Sequence, residues 1–308
     1  MVLLYNKIFF IRVKKSLSDL IYVCNTYLMK PYKSKFPGGF EVLMAVYKKD
    51  KDDLFKKAVD SIFTNTLLPT KVLIVIDGPI GSELSKTVLY LKSKYPLIKW
   101  IKLKDNVGLA KALNIGLNYV ATRWVVRADS DDINLPYRFE VLAKTLEKNP
   151  NLDILGSYIL EVDTSGKEIG VRKVPLSNHQ IYNAIKYKSP FNHMSVALRK
   201  SKVLECGGYP NIHLKEDYAL WCKMLFFKAN AMNLKDILII ATGGIDLCKR
   251  RSGLDYLKSE WEIQKTLVSC RLQKKYLSLL IGLVRCLVFL SPNSLRFFVY
   301  SRFLREKN

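Results

Sequence analysis

The sequence predicts an α/β fold in which a mixed, mostly parallel sheet is flanked by helices. Three observations carry that prediction. From Phe40 onward, short runs rich in β-branched and aliphatic residues alternate with longer runs whose apolar residues recur at helical spacing; such βαβα order calls for a parallel sheet with helices on its faces. Polar residues sit directly behind several apolar runs, where open sheets of this kind place their ligands. The 308 residues, 49% of them hydrophobic, suffice for a large packed core.

In chain order, Phe40–Val46 is the first strand, and Asp52–Thr64 is a helix with Leu54, Ala58, Val59, Ile62 and Phe63 on one face. Lys71–Ile76 is a second strand, followed by a helix through Leu84, Val88 and Leu91. Ile98–Leu103 and Arg123–Val126 are two more strands, with a helix from Gly108 to Tyr119 between them. Asn106 is placed to cap that helix, while Gly108, Ala110, Ala112 and Gly116 keep its surface small enough for close approach to a sheet or nucleotide. Past Asp153 the order changes, with strands at Ile154–Val162 and Val196–Arg199, a Thr164-Ser165-Gly166 turn and a helix over Tyr218–Lys228. Residues 40–267 read as one catalytic unit, 1–39 as a basic apolar extension and 268–308 as a basic amphipathic tail.

The formal net charge of +23 is unevenly spread, with seven Lys/Arg against one acid in residues 1–39 and eight against one in 268–308. Basic ends suit nucleic acid or an anionic membrane, and composition does not choose between them. The pattern does. Tyr276–Leu290 is largely aliphatic, and Arg271, Lys275, Ser278, Gly282 and Arg285 form one small or polar stripe; Arg296, Arg302 and Arg305 follow among Phe297, Phe298, Tyr300 and Phe303. This is an amphipathic helix too short and too charged to span a membrane, expected to lie on an anionic bilayer surface and not on nucleic acid. A helix packed on the core is the plainer reading of the same residues. At the amino end, Ile8-Phe9-Phe10-Ile11 is interrupted by Arg12, Lys14 and Lys15, so no secretory signal is expected. Cys24, Cys206, Cys222, Cys248, Cys270 and Cys286 lie far apart without a CxxC pair and read as reduced thiols of a cytosolic protein.

The chemistry centres on Arg127-Ala128-Asp129-Ser130-Asp131-Asp132, directly behind the apolar run Trp124-Val125-Val126. Three carboxylates at the end of a buried strand repel one another, a cost that a divalent cation relieves. Asp129 and Asp131 face the same side of an extended stretch, and hard oxygen ligands suit Mg²⁺ or Mn²⁺ held jointly with substrate phosphates. A nucleotide diphosphate leaving group meets that demand. Asp77, behind Val72–Ile76, is placed to accept from the ring N–H of a uracil, although Asp77-Gly78-Pro79 also makes an ordinary turn. Tyr47 falls behind the first strand, and Lys111 is in reach of a phosphate or base, or simply of solvent. In Lys215-Glu216-Asp217-Tyr218-Ala219-Leu220-Trp221, preceded by Gly207-Gly208-Tyr209, an Asp217 that opens a helix is placed to take a proton from an acceptor hydroxyl. Glu216 and Asp217 also suit a helix start for its own sake.

Together these blocks, over about residues 40–252, resemble the family 2 inverting glycosyltransferases of the GT-A fold. The matching pieces are Val42–Tyr47, Asp77-Gly78, Asn106–Gly116, Asp129-Ser130-Asp131-Asp132, Gly207-Gly208-Tyr209 and Glu216-Asp217-Tyr218. The resemblance implies that Tyr47, Asp77, Lys111, Asp129, Asp132 and Arg250 bind the nucleotide sugar, with Asp77 on the base and Asp129 on the ribose. It places Asp131 on Mn²⁺ or Mg²⁺, Asp217 as general base beside Glu216, and His193 and Trp221 toward the acceptor. Arg250 and Arg251 would close over the diphosphate. The string Val42–Lys49 is similar to bacterial O-antigen and exopolysaccharide (amylovoran-type) transferases, which implies a UDP-sugar donor and an undecaprenyl-diphosphate-linked acceptor at the cytoplasmic face of the inner membrane. Two features depart from the pattern: residues 1–39, and Asp77-Gly78-Pro79-Ile80 where DDGS is frequent. A nucleotidyltransferase on a related sheet is a rival, but Tyr47-Lys48-Lys49-Asp50 stands where its Gly-rich loop belongs. A non-catalytic basic module is the other.

Overall fold

The computed structural model describes residues 36–242 and 254–290. Its first half alternates strand and helix: β1 (Phe40–Val46), α1 (Asp52–Phe63), β2 (Lys71–Ile76), α2 (Ser82–Lys94), β3 (Ile98–Lys102), α3 (Leu109–Tyr119) and β4 (Trp124–Arg127). β1 pairs in parallel with β2 and β4, and β2 with β3, so the order is β3-β2-β1-β4. Strands covered on both faces read as continuous apolar runs, and Val42, Leu43, Met44 and Val46 of β1 are all buried. Phe55, Ala58, Val59 and Ile62 of α1 pack on one side of the sheet, and Ala112, Leu113 and Leu117 of α3 on the other. The predicted close approach of α3 occurs at Gly116, where a Cβ would lie 2.4 Å from a methyl of Leu43. Asn106 does not cap this helix: Gly108 occupies the N-cap position, and the Asn106 side chain turns to Asp77 instead.

The second half is less regular, with β5 (Ile133–Asn134), α4 (Arg138–Lys148), β6 (Ile154–Val162), β7 (Glu168–Arg172), α5 (Asn178–Ala184), a 3₁₀ turn at His193–Ser195, β8 (Ala197–Arg199), α6 (Lys200–Glu205), α7 (Glu216–Phe226) and β9 (Ala231–Thr242). β8 enters antiparallel between β4 and β6, while β9 runs parallel to β6. The sheet continues β4-β8-β6-β9-β5 with β7 beside β6. Sequence periodicity predicts β6, all of β8 and a later start for α7. It misses β5, α4, β7, α5, α6 and β9.

α8 (Leu254–Ser269) and α9 (Lys275–Leu290) form an antiparallel hairpin, and α8 packs on α7. The expected boundary at residue 267 therefore falls inside α8, whereas α9 matches the predicted amphipathic helix. Among the described residues no helix is long and apolar enough to cross a membrane. Cys206, Cys222, Cys270 and Cys286 are free thiols. Cys24, Cys248, Arg250, Arg251, the amino-terminal residues 1–35 and Arg296, Arg302 and Arg305 lie outside the described residues.

Candidate active site

β1 has β2 on one side and β4 on the other, so the chain reverses its direction of travel across the sheet there, and ligands of open α/β sheets bind beyond such a point. Two loops meet at this place, Tyr47–Asp50 after β1 and Ala128–Asp132 after β4. Asp50 ties them: its carboxylate accepts from the Tyr47 backbone N–H at 2.8 Å and from the Ser130 side chain. Burial above all, with the Asp129 charge added, pushes the Asp50 carboxyl up. Sequence reasoning passes over Asp50, although its place behind a parallel strand was the available signal.

Beneath the acidic run lie two buried guanidinium groups. Arg127, 2% exposed, donates to the Leu43 carbonyl at 3.2 Å and to that of Ala128, and pairs with Asp129. Arg138 of α4 is fully buried and donates to the carbonyls of Arg127 at 2.8 Å and Met194 at 2.9 Å, and to Asn134 Oδ1. Burial pushes it down to about 9, so it stays charged at neutral pH. Asp132 is buried above them. Its Oδ1 accepts from the Thr242 N–H at 3.2 Å, while Oδ2 has no hydrogen-bond partner among the described residues. Burial, then the charges of Asp129 and Asp131, hold its carboxyl well above the usual range. An unpaired buried carboxylate oxygen asks for a proton or a cation.

This donor set fits a hard divalent ion. All three side chains are carboxylates, and one buried oxygen lacks a partner. Among the described residues no three acidic, imidazole or thiol groups converge to chelate an ion by themselves.

The facing wall is built from α3, the 3₁₀ turn and the start of α7. Asn114 of α3 grips Tyr209, accepting from its N–H and donating to its carbonyl, each at 2.8 Å. Gly208 has φ 73°, and a Cβ there would lie 2.4 Å from Asn114 Oδ1, so only glycine allows the grip. The Tyr209 hydroxyl thereby reaches His193 Nε2 at 3.1 Å. Burial and then the Arg127 charge lower the His193 pKa, leaving a neutral imidazole at physiological pH. Trp221 is fully buried, 5.1 Å from the Phe191 ring and edge-on to His193 at 6.1 Å. It supports His193 from below, which corrects its expected place against an acceptor.

Glu216 and Asp217 form the first turn of α7. Glu216 is buried, and burial followed by the Asp217 charge pushes its carboxyl up to about 7. Asp217 is half-buried at the second helical position. The helix springs from Leu214, held at φ 57°, and from the buried Lys215, which pairs with Glu260 of α8. Charges of both Asp129 and Asp217 act on His193, Tyr209 and Glu216, so the acidic run after β4 and the start of α7 lie near the same side chains.

Asp77 lies at the end of neighbouring β2. Its carboxylate accepts from the N–H groups of Val107 at 2.7 Å and Gly108 at 3.0 Å, and from Asn106 Nδ2 at 3.0 Å. Gly78, with φ 83°, lets the two loops touch: a Cβ there would lie 2.5 Å from the Asn106 nitrogen. Asp77 is thus a clasp that spends most of its acceptor capacity on the loop before α3. Tyr47 and Lys111 are exposed on the β1 loop and α3.

The sheet is of the GT-A type and carries its acidic run at the switch point. Residues 41–208 match the family described as "Glycosyl transferase family 2", and the chain belongs to that family. It is a glycosyltransferase of the kind found in bacterial polysaccharide biosynthesis. It is 38% identical over 268 residues to an Escherichia coli UDP-Gal:alpha-D-GlcNAc-diphosphoundecaprenol beta-1,3-galactosyltransferase, covering 87% of this chain and 97% of that protein. With the amylovoran biosynthesis glycosyltransferase AmsE of Erwinia amylovora it shares 33% identity, over 85% of this chain and 98% of the relative. Staphylococcus aureus TarS 1-349 in complex with UDP-GlcNAc superposes with a TM-score of 0.61 at 18% identity, over 87% of this chain and 76% of that one. The mannosyltransferase PcManGT from Pyrobaculum calidifontis, in complex with GDP-Man and Mn²⁺, gives 0.55 at 14% identity, over 91% and 85%. The family assignment displaces both rivals, the nucleotidyltransferase and the non-catalytic module.

Proposed function

We propose that the chain moves a hexose, galactose or glucose, from a UDP-sugar onto N-acetylhexosamine-diphosphoundecaprenol, inverting configuration to give a β-linkage in O-antigen or exopolysaccharide repeat-unit assembly. The observation that supports this reading is that Asp129 after β4 and Asp217 of α7 both act on His193 and Glu216. The named activity of the Escherichia coli relative supports the choice of substrates. Work would take place at the cytoplasmic face of the inner membrane, where such an acceptor is found.

In the proposed step, Asp217 takes the proton of the acceptor hydroxyl, whose oxygen forms the new bond to the anomeric carbon. The bond from that carbon to the diphosphate breaks, and UDP leaves with the electron pair. Asp129 positions the ribose, and Asp131, with Asp132 behind it, would hold Mn²⁺ or Mg²⁺. When bound, such an ion supplies neutralisation of the diphosphate charge. Asp77 fixes the loop against which the base lies, with Tyr47 and Lys111 flanking the donor. Neutral His193, oriented by Tyr209 and Trp221, offers a hydrogen bond to the acceptor side. Purified protein incubated with Mn²⁺, a synthetic GlcNAc-diphosphate lipid and a panel of nucleotide sugars should yield one β-linked disaccharide lipid by mass and NMR. Absence of transfer from every UDP-hexose would overturn the reading.

A further inference from the structure

α9 is turned opposite to the usual surface helix. Ser278, Gly282 and Arg285 of its small or polar stripe face the protein: Ser278 Oγ donates to the Gln264 carbonyl at 3.3 Å, and Gly282 leaves room for Trp261, whose ring a Cβ would approach to 2.9 Å. Arg285 pairs with the fully buried Glu260 at 2.8 Å. The outer face carries Tyr276, Leu279, Leu280, Leu283, Val284 and Leu287, at three- and four-residue spacing and each 50–71% exposed. A continuous apolar stripe of this kind marks an interaction surface. Sixteen residues span about 24 Å, less than a hydrocarbon core of about 30 Å, so the helix is suited to lie along a bilayer and not to cross it.

Charge selects the occupant. From Ile263 to Leu290 the chain has five Lys/Arg and no acid, and Arg271, Lys274 and Lys275 are exposed at the start of α9. A second copy would bring two such runs together with no acid on either, whereas anionic headgroups complement them.

We propose that α9 is an in-plane membrane anchor, its leucine face set among acyl chains and its cations among anionic headgroups. Glu260 bridges Arg285 of α9 to Lys215, the residue before Glu216, so the anchor is bolted to the catalytic helix. Seating it on the bilayer sets the orientation of the crevice. The proposal deepens the lipid-linked acceptor reading and rests on it for its use, though the binding itself does not need the chemistry.

The test is flotation of the full chain with phosphatidylcholine vesicles, with and without phosphatidylglycerol, at low and high salt. The wild type should float with the anionic vesicles, less so in salt, and Leu280→Glu/Leu287→Glu should bind them about tenfold or more weakly. Leu89→Glu, at an exposed apolar position on α2, is the control and should float like the wild type. UDP binding and circular dichroism of the double variant should match the wild type. A double variant that floats normally, or a wild type that does not float, would overturn the anchor. So would a wild-type dimer in sedimentation that the double variant splits without change in vesicle binding; the face would then belong to a second copy. Flotation without sugar transfer would sink the function proposed above and leave the anchor standing.

Discussion

In the site proposed above, the donor wall at the end of β4 and the acceptor wall at the start of α7 are stabilised differently. On the donor wall, Asp129, Asp131 and Asp132 share a strand end with Arg127, and Arg138 lies eleven residues further on, so charge and countercharge come from one stretch of chain. On the acceptor wall, Glu216 and Asp217 rest on Lys215, whose countercharge Glu260 comes from a helix 45 residues later and is shared with Arg285 of another. The donor wall is thus a property of the sheet. The acceptor wall depends on the C-terminal hairpin.

The largest effect should come from the acceptor wall's own chemistry. Asp217→Asn is expected to lower kcat about 10³-fold, the scale of a lost general base, while UDP affinity by calorimetry is unchanged. A variant that keeps most of its turnover would move the base to Glu216. On the donor wall, Asp131→Asn or a chelator should lower turnover at least about 100-fold and weaken UDP binding with it, since the ion and diphosphate share ligands. Turnover indifferent to chelator would show that Arg127 and Arg138 alone suffice for that wall.

Next comes the link between hairpin and wall. Glu260→Gln leaves the buried Lys215 and the half-buried Arg285 without their countercharge and should destabilise the fold by about 3–5 kcal/mol in urea titration. Asn at 217 should not. If the comparison holds, Glu260→Gln also raises KM for the lipid acceptor while the UDP affinity stays near wild type. Equal losses at both walls would mean that the hairpin supports the whole sheet.

The same contrast explains what could be read from the sequence. β1 to β4 and the acidic run are legible because strand, turn and ligand follow one another within a few residues, and buried parallel strands announce themselves as apolar runs. Residues 133–242 are harder: β5 has only two residues, and β9 is interrupted by Lys235 and Asp236, both of which defeat periodicity. Asp50 and Asn114 carry local polar chemistry whose meaning appears only when Ser130 and Tyr209 are brought beside them. The Lys215–Glu260 pair has no sequence signature at all. The polar stripe of α9 is visible in the sequence, but which way it faces depends on Glu260 and Trp261.

The smallest predicted effect separates the two acids of α7. Because burial raises the Glu216 carboxyl from 4.5 to about 7, the folded protein holds a proton that the unfolded chain gives up between those values. Stability through this group is therefore fully present below about 4.5, falls as pH rises toward about 7, and stays lower above it. Glu216→Gln cannot ionise and escapes that loss. Its stability relative to wild type should thus improve from pH 5 to pH 8 by about 1–3 kcal/mol, at most the full shift at about 1.4 kcal/mol per unit. Urea midpoints of both proteins at the two pH values measure this directly. A gap that does not change with pH would mean that burial does not hold the Glu216 carboxyl above its ordinary value, and that the acceptor wall carries one special carboxylate fewer than its burial implies.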